Sequence, residues 1–166
     1  VKEGNYIMKA LLEYGFKKAG LIIKGDDSKN KINFELNLNF KDEKVSQVYA
    51  WVINEEIKYI GMAGNGLRVR LNQHKNGWRG GSNTGKKIAD YILLEFKKSN
   101  DILIYAYTSG STEKNIDIFK TKINIGFHKM TYMRLEEAYL IENFKKTNDL
   151  WNISGASKQL NNVTLK

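Results

Sequence analysis

The chain has 166 residues, 42% of them hydrophobic, and a mean hydropathy of −0.49, which suits one domain with a sizeable core and an added arm but not two full domains. It has no cysteine and two histidines far apart, which excludes disulfides, thiolate metal sites, a cysteine nucleophile and a histidine-rich metal centre, and fits a reducing, cytoplasmic compartment. A net charge of +9, carried almost wholly by lysine, points to a polyanionic partner such as nucleic acid, while no apolar run approaches the about eighteen residues of a membrane span and no apolar leader precedes the first element.

In chain order, Tyr6 to Gly20 carries apolar residues at helical spacing and ends on glycine, which predicts a helix. Asn33 to Phe40 alternates, with Phe34, Leu36, Leu38 and Phe40 on one face, which predicts a half-buried strand. The charged turn from Lys41 to Ser46 marks a boundary between an N-terminal arm, residues 1–45, and the body of the chain, residues 46–166. There Val48 to Asn54 and Ile57 to Gly61 read as a hairpin turned at Glu55-Glu56. Leu67 to Asn76 reads as a short helix, Gly77 to Gly85 as a glycine-rich loop, and Lys86 to Ser99 as more helix than strand. Ile102 to Thr108 is a third strand. Polar Ser111 to Gly126 has no clear pattern and reads as an insertion. Thr131 to Lys146 is a helix with Thr131 as its N-cap, and the tail from Asn148 is polar around Trp151 and Ile153.

The chemistry concentrates between Gln47 and Gly77. Tyr49 and Tyr59 stand ten residues apart on paired strands. After the tight turn Gly61 to Gly66, the helix buries Leu67 and Leu71 and sets Arg70 and His74 together on one flank. A guanidinium suits a phosphate because its planar fork donates two parallel hydrogen bonds and keeps its charge; an arginine beside a histidine is also an ordinary surface pair. Strand tyrosines are as a rule half-buried fillers, and a phenol acts as a general base only where nearby cations favour its phenolate. Arg70 is such a cation.

In the late helix Met133, Leu140, Ile141 and Phe144 form one apolar sector, with Glu137 inside it and Glu136 at its edge. A carboxylate facing an apolar sector is costly unless paired, so Glu137 reads as a metal ligand or as the partner of a cation. Arg68, Lys75, Arg79, Lys86 and Lys87 are the cations placed to meet a phosphate backbone. Those of Gly77 to Lys87 lie on a stretch that reads either as a mobile loop closing on DNA or as solvated surface. His128 reads as a surface or capping residue. Asn152 follows the late helix by a short loop, in position to buttress Glu137.

Together these residues resemble the GIY-YIG endonuclease superfamily. The first signature is Val48-Tyr49-Ala50, preceded by Gln47; it lacks the initial glycine and central isoleucine but keeps the tyrosine. The second stands intact as Tyr59-Ile60-Gly61. GNGLRVRLNQH is similar to the family's arginine helix, with Arg70 at the catalytic arginine and His74 at the histidine one turn later. Glu137-Ala138-Tyr139-Leu140-Ile141 is similar to the surroundings of its metal-binding glutamate, and Asn152 to a downstream asparagine; the resemblance spans about Ser46 to Gly155.

The resemblance implies an α/β (α+β) fold, a small three-stranded antiparallel sheet flanked by helices. It implies hydrolysis of DNA phosphodiesters with Mg2+ or Mn2+ held by Glu137, leaving 5′-phosphate and 3′-hydroxyl ends. Tyr49 would be the general base, tuned by His74 or Tyr59, with Tyr59 the alternative base and Arg70 stabilising the phosphate charge. Because the chain lacks the extensions of repair and homing members, it looks most like the stand-alone type II restriction enzymes, of bacterial or phage origin. Sequence-specific cutting of double-stranded DNA by a homodimer is then expected, alongside a methyltransferase for the same site. A homing- or repair-type nuclease of low sequence specificity and a non-catalytic DNA-binding module are the alternatives.

Overall fold

The computed structural model of the chain describes residues 3–41, 44–108, 113–118, 121–126, 129–146 and 148–152. Helix α1 (Glu3–Tyr14) is followed by strand β1 (Lys17–Lys24), so the helix expected over Tyr6 to Gly20 is two elements. The break is at Gly15, whose φ of +111° suits a residue without a side chain. Gly15 N–H donates to the Leu12 carbonyl at 3.0 Å and Phe16 N–H to that of Leu11 at 3.2 Å. This paired closure satisfies the last carbonyls of the helix and brings Phe16 into the same core cluster as Leu11.

Strand β2 (Ile32–Leu36) stops four residues before the expected end at Phe40. The cause lies in β1, where a bulge sits between Lys18 and Gly20. Asn37 ties itself to that bulge, its N–H donating to the Ala19 carbonyl at 2.8 Å and its side chain to that of Lys18 at 2.9 Å. The chain turns into a short helix α2 (Leu38–Lys41), and Leu38, expected on the buried face, is 82% exposed.

Strands β3 (Gln47–Ile53) and β4 (Glu56–Ala63) form the expected hairpin, turned one residue earlier, at Asn54-Glu55. Both turn residues have positive φ, +49° and +67°, the two-residue loop whose twist matches the strands it joins. Helix α3 (Leu67–Asn76) has the bounds read from the sequence. The loop expected after it is instead a π-type helical turn over Gly77–Gly81 that buries Trp78. Helix α4 (Asn83–Lys97) then starts under Ser82, whose Oγ accepts from Gly85 N–H at 3.0 Å.

Strand β5 (Ile102–Thr108) matches its expectation. The stretch without a pattern holds a second hairpin, β6 (Glu113–Ile118) and β7 (Thr121–Gly126). Helix α5 (Lys129–Phe144) lies two residues earlier than expected at each end. His128 and the tail from Ile153 lie outside the described residues. None of the described helices is long and apolar enough to cross a membrane.

The main sheet has five antiparallel strands in the order β2-β1-β5-β3-β4, not three. The three strands expected of the core, β5, β3 and β4, are contiguous in it, and the N-terminal segment adds at one side β1, which the sequence did not show, and β2, which it did. All seven residues of β3 are buried because its two faces meet different helical layers. Tyr49, Trp51 and Ile53 pack with α3 and α4, and Val48, Ala50 and Val52 with α1 and α5. At about 1.5–3 kcal/mol for each large apolar side chain fully removed from water, β3 is the anchor of both layers.

Candidate active site

The hairpin register puts Tyr49 opposite Gly61 and Trp51 opposite Tyr59. Tyr49 is wholly buried and Tyr59 half-buried. A β-carbon on Gly61 would stand 2.5 Å from the Tyr49 hydroxyl oxygen and 2.9 Å from Tyr59 Cε1. The missing side chain is the space that lets both phenols lie across the strand. Their rings are 6.0 Å apart, and Tyr59 stacks on Trp51 at 4.4 Å.

Helix α3 is fixed to this sheet at its start, where the buried Gln47 Oε1 accepts from Leu67 N–H at 3.0 Å. One turn apart on it, Arg70 and His74 face the phenols, as their spacing implied. His74 Nε2 lies 2.5 Å from Tyr49 Oη, and Trp78 stacks on the His74 ring, their centres 5.8 Å apart. Burial, and then the charge of Arg70, pushes the His74 pKa down to about 3. The imidazole is therefore neutral at pH 7, and we assign its proton to Nδ1, so that Nε2 accepts from the phenol. A hydroxyl buried without a partner would cost roughly 1–3 kcal/mol; His74, together with the hydrogen bonds that Arg70 and Tyr59 make to the same phenol, makes a wholly buried Tyr49 tolerable.

Burial raises the Tyr49 phenol well above its ordinary value; Tyr59 adds to the effect and Arg70 opposes it. Burial also raises Tyr59, again against Arg70. Both phenols are thus protonated at neutral pH in the resting site. For Arg70, burial opposes the charge, but Tyr49, Tyr59 and Glu137 outweigh it and hold the guanidinium above its ordinary value. Arg70 Nη1 donates to Gln73 Oε1 at 3.0 Å, while its Nε is buried and has no partner among the described residues.

Glu137 stands close enough for its charge to act on both phenols and on Arg70. Burial raises its carboxyl above the ordinary value, and Arg70 and Arg134 oppose that. The helical wheel misplaced the two acids. Glu136, expected at the edge, is 4% exposed and accepts from the Tyr14 hydroxyl at 3.3 Å, whereas Glu137 is half-buried. The Tyr14 hydroxyl at the end of α1 reaches Glu136 on that flank of α5, a contact outside the wheel.

Among the described residues no group of three or more His, Cys, Asp or Glu could hold a metal ion. A single carboxylate nevertheless fits a magnesium-type cation, which keeps several waters and takes other oxygens from a substrate phosphate.

Asn152 does not buttress Glu137. Its side chain accepts from Ile60 N–H at 2.9 Å and donates to the Ile60 carbonyl at 2.6 Å. Asn148 Oδ1 accepts from Ile57 N–H at 3.0 Å, and Trp151 N–H donates to the Lys58 carbonyl at 2.6 Å. Residues 148–152 thus run along the outer edge of β4 and hold the strand that carries Tyr59 and Gly61.

Of the five expected phosphate-binding cations, Arg68, Arg79, Lys86 and Lys87 are exposed. Lys75 is half-buried; its Nζ donates to Asn33 Oδ1 at 2.9 Å and lies 5.8 Å over the Phe34 ring. Lys75, Arg79 and Lys86 line one cleft with Trp78; Arg68 and Lys87 are not among its lining residues. Trp51, Trp78 and Asn148 were not singled out from the sequence. Trp78 carried a usable signal, since it falls one helical turn after His74, but Gly77 argued for ending the helix first.

No protein-family profile and no curated protein matches the sequence. Among solved structures, a single-site mutant of bacteriophage T4 EndoII is similar to this chain, with a TM-score of 0.59 and 23% identity over 89% of this chain and 98% of that one. Restriction endonuclease Hpy188I in complex with product DNA gives a TM-score of 0.47 and 17% identity, over 87% of this chain and 88% of that one. The first of these is a likeness of fold over nearly the whole length of both chains: the protein shares its fold with phage T4 EndoII.

Proposed function

We propose that the protein is a metal-dependent endonuclease of the GIY-YIG type, cutting double-stranded DNA at specific sequences. One observation carries this reading. Tyr49 Oη is 2.5 Å from His74 Nε2, beside an Arg70 whose Nε has no partner and within the field of Glu137. A net charge of +9 and the fold shared with EndoII support it.

In this mechanism Arg70 takes the scissile phosphate, and its charge is then offset by the phosphate rather than bearing on His74 and the phenols. One of the two causes that depress His74 is thereby weakened. Tyr49 removes a proton from the attacking water while its own proton passes to His74 Nε2, so that no free phenolate has to form. Tyr59, stacked on Trp51, holds the Tyr49 ring in place. The water oxygen bonds to phosphorus as the bond to the 3′ oxygen breaks; that oxygen takes a proton from solvent and His74 returns its proton to solvent, leaving 5′-phosphate and 3′-hydroxyl ends. Glu137 would hold Mg2+ or Mn2+, which would supply Lewis-acid stabilisation of charge at the phosphate. Arg70 contributes about 3 kcal/mol of charge stabilisation in the transition state. Arg68, Lys75, Arg79, Lys86 and Lys87 bind the DNA backbone. A near-palindromic site would be met by a homodimer, and a methyltransferase of the same specificity would protect host DNA.

The test is phage-length DNA incubated with the protein and Mg2+, with EDTA, and with the Glu137→Ala variant. Discrete fragments that need both the metal and Glu137 are expected. A metal-dependent smear would remove the sequence specificity and keep the nuclease. Intact DNA that still shifts in a binding gel would overturn the catalytic reading.

A further inference from the structure

The cleft beside Trp78 has a volume of about 480 Å³ and lies between the segment joining β1 to β2 and helix α4. Five cations line it, Lys29, Lys31, Lys75, Arg79 and Lys86, against the single acid Asp90. Charge of that density selects an anion. Two further lining residues ask for more than an anion. Trp78 Nε1, a donor, and Asn30 Oδ1, an acceptor, are each buried without a partner among the described residues.

The orientation of Asn30 is fixed by its neighbours. Its Nδ2 donates to Asp27 Oδ2 at 2.8 Å, so the oxygen is the atom left over. Asp27 Oδ1 also accepts the backbone N–H groups of Lys29 at 2.7 Å and Asn30 at 2.6 Å. These bonds, that of the Asn30 side chain foremost, hold the Asp27 carboxyl below its ordinary value, so it stays ionised and keeps the amide turned. A buried polar atom left unpaired costs on the order of 1–3 kcal/mol, and native structures hold few of them.

A backbone phosphodiester alone answers the lysines and the indole N–H but offers no donor to Asn30. A nucleobase presents a donor and an acceptor together and has a planar face for the indole, while its phosphate meets the cations. The volume falls within the roughly 300–1,000 Å³ of sites that enclose a small organic ligand. Because Trp78 both lines the cleft and stacks on His74, whatever fills the cleft is held next to the Tyr49–His74 pair.

We propose that this cleft is a nucleotide subsite, which takes one unstacked nucleotide of the bound DNA strand with its base against Trp78 and Asn30 and its phosphate among the lysines. The inference rests on the endonuclease reading. A free mononucleotide shares the same chemistry, and the experiment separates the two sources.

The experiment scans 5-iodouracil through a duplex that spans the cut site, bound by the full-length Glu137→Ala protein, and identifies the peptide joined to DNA on irradiation. One position is expected to couple to the peptide containing Trp78. A single mismatch at that position should tighten binding roughly tenfold, because unstacking then costs less. Asn30→Ala should lower the coupling yield several-fold with the circular dichroism spectrum unchanged, and Lys31→Ala should do the same through the phosphate. Coupling to Trp78 from no position, or from several consecutive positions with no mismatch effect, overturns the subsite. If the wild-type protein still cuts in that case, the endonuclease reading survives alone; if DNA is neither bound nor cut, both fall. Saturable quenching of tryptophan emission by thymidine monophosphate, without coupling in the duplex, would overturn the strand assignment in favour of a free nucleotide.

Discussion

The Tyr49 hydroxyl fills the space in which a side chain on Gly61 would stand, 2.5 Å from the position a β-carbon would take. The strand cannot accept even a methyl group there without moving the phenol off His74. Gly61→Ala should therefore lose about 1–3 kcal/mol of stability by overpacking, together with most of the cleavage activity. Thermal unfolding and a cleavage assay check both, and wild-type values in each would show that β4 yields freely.

His74 gives stability a pH dependence whose sign follows from its depressed pKa. The folded value is about 3 against an ordinary 6.5, so between those limits the unfolded chain binds a proton that the folded chain refuses. The contribution is complete above pH 6.5 and is lost as pH falls through the window, by a few kcal/mol in all. Urea titrations of the wild type and His74→Gln should diverge above pH 6.5 and converge towards pH 3. Parallel curves would mean that the imidazole is better solvated than its burial implies.

Arg70→Lys keeps the charge and removes the fork and the unpartnered Nε. Single-turnover cleavage at saturating protein should fall by about 10²–10³, with DNA affinity much less affected. An unchanged rate would place the phosphate elsewhere.

Lys87 is exposed on α4, where its expected role is that of a single phosphate contact. Lys87→Ala should reduce the slope of log affinity against log salt by about one, with the same effect on every DNA sequence. A sequence-dependent loss would mean that it reads bases.

Asn152 answers both backbone groups of Ile60 at the edge of the sheet. Asn152→Ala should cost roughly 1–3 kcal/mol and speed hydrogen exchange at the Ile60 amide. Unchanged exchange at Ile60 with lowered global stability would assign the effect to Trp151 instead.

The parts of this structure that were legible in the sequence are those decided by local pattern. Strands β3 and β5 are nearly unbroken apolar runs, and α3 places Arg70 and His74 by a spacing that any helix enforces. Strand β1 was hidden because Phe16, Ala19 and Ile22 are buried at intervals of three, a helical spacing produced here by the bulge at Ala19. The Glu136–Glu137 inversion depends on α1 packing against α5, with the Tyr14–Glu136 bond spanning 122 residues, which no wheel contains. Asn152 was found as a residue but not in its role, since its partner is a backbone 92 residues away.

The run from Asn148 to Asn152 along β4 also bears on how two copies of this chain could meet. An unprotected edge strand is a template on which another chain can add a strand. Here Ile57, Lys58 and Ile60 already spend their outward backbone groups within the molecule. A dimer that continued the sheet through β4 would first have to strip that clamp away. Within the main sheet, a dimer that extends it is left the opposite edge at β2, which at five residues offers a short seam.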